Sequence, residues 1–209
     1  MTAPPRTDPP YVPIRHTRWP TRRTPRPVLL LGIVLLAGAV LVALVHRPSQ
    51  AQRAADLRGF LADMNTGIES CAGGVGESLG VLHQVESGDR RDLTTAIYIA
   101  QYGASNCSLA NSEPLDDLSG YQVTESLASF RLGTVVTGLT NWATPDAQDV
   151  QTDVAQVLAA RNQRAKSQAM AALSQALGRL DAQRSAVDSV IEAANRALSA
   201  HASPPVLPG

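Results

Sequence analysis

Apolar positions in this chain fall into two regimes. Residues 28–45 (VLLLGIVLLAGAVLVALV) are apolar without interruption, whereas from Leu57 onward apolar positions recur at helical spacing. Eighteen residues of helix rise about 27 Å, close to the roughly 30 Å hydrocarbon core of a bilayer, so the run predicts a single transmembrane helix over residues 28–46. Beyond it, Leu57, Leu61, Met64, Ile68, Cys71, Val75, Leu82 and Val85 follow a 4-3-4-3 rhythm, with Ser78 at the one polar step. That rhythm belongs to a helix packed along a seam. Leu93, Ile97, Ala100, Ala104 and Cys107 continue it in a second helix, and Leu132, Val135, Leu139 and Trp142 mark one face of a third. A last helical segment is expected from residue 145 to 200, carrying Val150, Val154, Val157, Leu173, Leu177, Leu180, Val187, Ile191, Ala194 and Leu198. The polar stretch Arg161-Asn162-Gln163-Arg164 is where it would break. Alternation typical of strands is essentially absent.

Proline and glycine punctuate this pattern. Eight of the 14 prolines fall at or before residue 27 and three in the last six residues. Proline is tolerated in the first turn of a helix and breaks its interior. Pro48 should therefore open the first helix after the span, Pro114 should mark a connection, and Pro145, with Thr144 as N-cap, should open the last helix. Ser119-x-x-Gln122 suggests a capping box. Gly73, Gly74, Gly76 and Gly80 predict a kink near residues 73–76, because each glycine in a helix interior costs about 1 kcal/mol relative to alanine. The same small residues, facing Gly103 and Ala104, would let two helices approach closely.

Charge sets the expected topology. Six arginines stand against one acid ahead of the apolar run, whereas the chain beyond residue 26 carries 12 basic and 17 acidic residues. The basic excess favours a cytoplasmic N-terminus. A cleaved signal peptide is the alternative, with Ser49-Gln50-Ala51 as a cleavage site, although 18 residues exceed the usual apolar length of such signals. Either way the bulk of the chain is expected outside the cytosol. There disulfides persist, and Ser87-Gly88-Asp89 lies midway between the two cysteines, Cys71 and Cys107. Two helices running into that turn would set the cysteines opposite each other in a disulfide-tied antiparallel hairpin.

Catalytic candidates are sparse. His83 and Glu86 lie one helical turn apart, with Glu69 and Glu77 on the same segment, but a metal-binding bundle needs several such groups converging from different helices. No serine sits in a nucleophile motif. Neither a catalytic residue, a cofactor nor a metal is expected.

The resulting expectation is an all-α protein. It has a disordered basic, Pro-rich cytoplasmic tail (residues 1–27), a transmembrane helix (28–46), an extracytoplasmic bundle of three to four long helices (47–200) and a disordered C-terminal tail (201–209). Its partners would be the membrane and a protein of the cell envelope, with no nucleic acid; the heptads are also compatible with pairing to a second copy of the chain, although packing within one chain uses the same pattern. The expected role is a structural or protein–protein interaction module without catalytic activity. A sensory or regulatory ectodomain signalling to a cytosolic partner is the alternative.

Overall fold

Ser49 caps helix α1 (Gln50–Glu86): its hydroxyl accepts a hydrogen bond from the Gln52 amide at 3.1 Å. Pro48 lies just ahead of this cap rather than in the first turn. The computed structural model describes residues 48–208, so the expected tail and span, residues 1–46, lie outside the described residues. Among the described residues no helix is long and apolar enough to cross a membrane.

The described chain is an all-helical bundle of two hairpins. In the first, α1 runs 37 residues, about 55 Å, and turns at Gly88, whose φ of 83° suits a residue without a Cβ. It is followed by the antiparallel α2 (Leu93–Asn106). Asp92 caps α2, accepting from the Thr95 hydroxyl and, at 3.1 Å, from the Thr95 amide, and these hydrogen bonds, the hydroxyl's foremost, hold its carboxyl below the usual value. In the second hairpin, α4 (Gly133–Asn141) and α5 (Gln148–Ala159) run against α6 (Gln163–Leu198). They are joined by a wide, π-type turn over Trp142–Ala147.

The connection between hairpins holds a short helix α3 (Glu113–Ser119) and a 3₁₀ turn (Glu125–Phe130). Because α2 has only 14 residues, it covers only the later half of α1. The connection and α4 cover the earlier half. The seam is buried as its spacing predicts: Leu57, Met64, Ile68, Cys71 and Val75 are at most 1% exposed. The face of α4 is buried equally well at Leu132, Val135, Leu139 and Trp142.

Several expectations need correction. Among the described residues only α1 and α6 are long, and α4 with α5 amounts to a third, interrupted helix. The break before α6 falls at residues 160–162, where the Asn162 side chain caps the new helix by accepting from the Ala165 amide at 2.9 Å. Ser119 opens no helix: it ends α3, and its hydroxyl donates to the Asp116 carbonyl. Thr144 has the extended backbone of a cap, but its hydroxyl donates to the Cys107 carbonyl instead. Pro114 lies within the first turn of α3 and so opens a helix as well as marking the connection. α1 is unbroken through residues 73–76. Packing of its apolar face outweighs the local glycine penalty there.

The C-terminal segment, expected to be disordered, has no helix but is held in place. Ser199 and His201 adopt left-handed φ values of 50° and 49° and return the chain onto α1. Asn195 clamps Ala202 with both amide atoms, Nδ2 donating to its carbonyl at 2.7 Å and Oδ1 accepting from its N–H at 2.9 Å. Arg58 donates to the Ala200 carbonyl, and Ala202, Pro205 and Leu207 are buried. Backbone polar groups satisfied by side chains, together with apolar burial, replace the regular structure that the prolines deny it.

Candidate interaction surface

Where the first hairpin is tied, two glycines let the helices meet. Cys71 and Cys107 are bonded, with their Cα atoms 4.6 Å apart. One turn further along, a Cβ on Gly74 would lie 3.2 Å from the Gly103 Cα, and a Cβ on Gly103 would lie 3.1 Å from the Gly74 carbonyl oxygen. Both hypothetical atoms would also crowd the Gln151 amide nitrogen, at 2.8 and 3.1 Å. The glycines thus make room for the head of a fully buried side chain reaching in from α5. Ser78, also buried, donates to the Gly74 carbonyl at 2.8 Å. The result is a small polar node between α1, α2 and α5, beside the disulfide.

The second hairpin is fastened at its break. Arg179 on α6 donates from Nε to Asp146 at 2.8 Å and from Nη2 to Asp149 at 2.6 Å, which raises its already high pKa. Asp146 is only 6% exposed, so the guanidinium compensates a carboxylate that would otherwise be buried alone. Nearby, burial raises the Asp153 carboxyl above its usual value; Asp149 adds to this and Arg179 works against it.

On this rigid frame α2 presents an outward stripe. Of the expected seam Leu93, Ile97, Ala100, Ala104 and Cys107, only Ala100 and Cys107 are fully buried; Ala96 and Gly103 complete the inward face, which turns Tyr98 and Tyr102 away from the bundle. Both rings are largely exposed, at 62% and 59%, and they stack with centroids 6.0 Å apart. Leu93, 45% exposed, stands at the start of the same helix. Beside the stripe a shallow groove runs between α2 and α5, with Ala104, Ala155 and Ala159 among its lining. Tyrosines offer large, stiff contact area with a polar tip, which suits a protein interface. The spacing YIAQY within a helix already carries this signal, between the seam positions rather than at them.

The remaining sequence candidates do not converge. Glu69, Glu77 and His83 are exposed. Glu86 faces Lys166 of α6 at 3.5 Å, an exposed pair of small energetic weight. Among the described residues no group of three His, Cys, Asp or Glu side chains could hold a metal ion. Comparison with known protein families, curated proteins and solved structures finds no match.

Proposed function

We propose that this chain is a single-pass membrane protein with a cytoplasmic N-terminus, anchored through residues 28–46. Its extracytoplasmic bundle acts as a structural or protein–protein interaction module of the cell envelope, without catalytic activity. The observation that carries the interaction reading is the stacked, solvent-facing Tyr98–Tyr102 pair. Two aromatic rings left outside a core that has few aromatics of its own invite a partner surface. The disulfide and the close helix crossing hold the platform in one conformation, which lowers the entropy lost on docking. The basic tail and the 18-residue apolar run support the topology.

The test is the size of the native complex. In membranes solubilised in mild detergent, the full-length chain should migrate as part of a larger assembly, and Tyr98→Ala/Tyr102→Ala should release it. Since both side chains are more than half exposed, the melting temperature should hardly change. An assembly of unchanged size would refute the role of this face. The sensory alternative draws support from α1, which runs unbroken for 37 residues from close beyond the apolar run and could carry a displacement toward it. Loss of a cytosolic response on deletion of the tail, with insertion intact, would favour that reading.

A further inference from the structure

We infer that the groove between α1 and α3 is a second docking site, whose occupant is a cationic segment of an extracytoplasmic partner protein inserting an apolar side chain between flanking Lys or Arg residues. The groove encloses about 380 Å³. Its accessible apolar surface comes from Pro114 and the Tyr121 ring, above a floor of Met64, Leu118 and Gly67 that are themselves buried. Gly67 is needed there: a Cβ would come within 2.7 Å of Leu118 and 3.2 Å of the Pro114 carbonyl. The helices thus meet closely at the base, while the rim diverges.

That rim is acidic. Asp63 stands on the α1 side, Glu113 and Asp117 on the α3 side, and no basic side chain lines the groove. The whole connection from Cys107 to Phe130 contains four acids and no Lys or Arg. Tyr121 closes one end. Its hydroxyl donates to Asp63 at 2.9 Å and its ring packs edge-on against Phe60, with centroids 5.6 Å apart. Burial and the Asp63 carboxylate push the Tyr121 hydroxyl up to about 12, so it remains a donor and fixes Asp63 at the rim. An apolar concavity of this size accepts one large side chain, and acids on both walls select positive charge beside it. The site is built on α1 and α3, not on the helix that carries Tyr98 and Tyr102. It deepens the interaction reading by giving the partner a chemistry, and it can fail while that reading stands.

Random peptides displayed on phage, selected on the full chain in lipid nanodiscs and counter-selected on empty nanodiscs, provide the probe. Enriched peptides should carry Lys or Arg on both sides of an apolar residue. Synthetic copies should bind about tenfold more weakly to Glu113→Gln/Asp117→Asn, which removes two exposed charges, and more weakly still in high salt. Thr66→Trp, which fills the rim from an exposed position, should abolish binding while the circular dichroism spectrum stays unchanged. Three outcomes would overturn the proposal: no enrichment, enrichment without an excess of positive charge, or binding indifferent to these variants. If the same variants instead abolish self-association of the full chain, the occupant is a second copy and the proposal is equally wrong.

Discussion

Four glycines within little more than two turns of α1 should respond to alanine with opposite signs. At Gly73, Gly76 and Gly80 an added Cβ meets nothing within 4 Å. Alanine there gains only helix propensity, about 0.8–1 kcal/mol for each site. At Gly74, and at its counterpart Gly103, the new atom meets the opposing backbone at 3.1–3.2 Å and the Gln151 amide at 2.8–3.1 Å. The amide end can swing, but the backbone can withdraw only if the two helices part, and the disulfide one turn away resists that. Overpacking of this kind costs about 1–3 kcal/mol. Set against the propensity gain, Gly103→Ala should be destabilising by up to about 2 kcal/mol. The double variant Gly74→Ala/Gly103→Ala should cost less than the sum, because helices already pushed apart admit the second methyl more easily. Urea unfolding followed by far-UV circular dichroism measures all of these. The midpoint should rise for Gly76→Ala and fall for Gly103→Ala. A rise at Gly103→Ala matching that at Gly76→Ala would refute the close crossing and, with it, the explanation of why α1 tolerates so many glycines.

Two further outcomes follow from the same packing. Cys71→Ala/Cys107→Ala opens a link between residues 36 apart; loop closure of this length is worth roughly 4 kcal/mol, so the melting temperature should fall by about 8–16 °C, and a loss under about 2 °C would contradict it. Asp153 has a folded-state pKa above its ordinary 3.8, chiefly through burial, so its ionisation opposes folding at neutral pH. Asp153→Asn should therefore raise the urea midpoint at neutral pH, with a gain that shrinks on acidification and disappears below that ordinary value; a gain independent of pH would refute the assignment.

Where the sequence was legible, burial had a period. The seam of α1, the face of α4 and the pairing of Cys71 with Cys107 all follow from 3.6-residue geometry and one turn signal, and the structure carries them as expected. Asn162 could also be found, because a polar patch interrupting an apolar rhythm is where a helix can restart. What escaped depends on partners distant in sequence. The close approach of the α1 glycines to Gly103 is legible beside the two cysteines, but the kink expected with it is absent, since nothing local shows that packing keeps α1 continuous or that Gly74 rather than Gly76 makes the contact. Ser119-x-x-Gln122 looked like a helix start, although α3 had already begun at Glu113 with proline in its first turn. The C-terminal segment looks disordered by composition, but beyond the local Asn195 clamp it is anchored by α1, where Arg58 donates to the Ala200 carbonyl and Asn65 Oδ1 accepts from the Val206 amide at 3.4 Å. The candidate surfaces divide in the same way. Tyr98 and Tyr102 were available from helical phase alone, whereas the acidic groove exists only because the connection folds α3 across α1.

The most direct test of the interaction reading is site-specific photo-crosslinking in native membranes. A photo-reactive benzoylphenylalanine in place of Tyr98 should give a discrete adduct with another envelope protein. The same group in place of Met170, 38% exposed on α6, should not. No adduct from position 98, or an identical pattern from both positions, would contradict the claim that this face of the bundle is where the protein meets its partner.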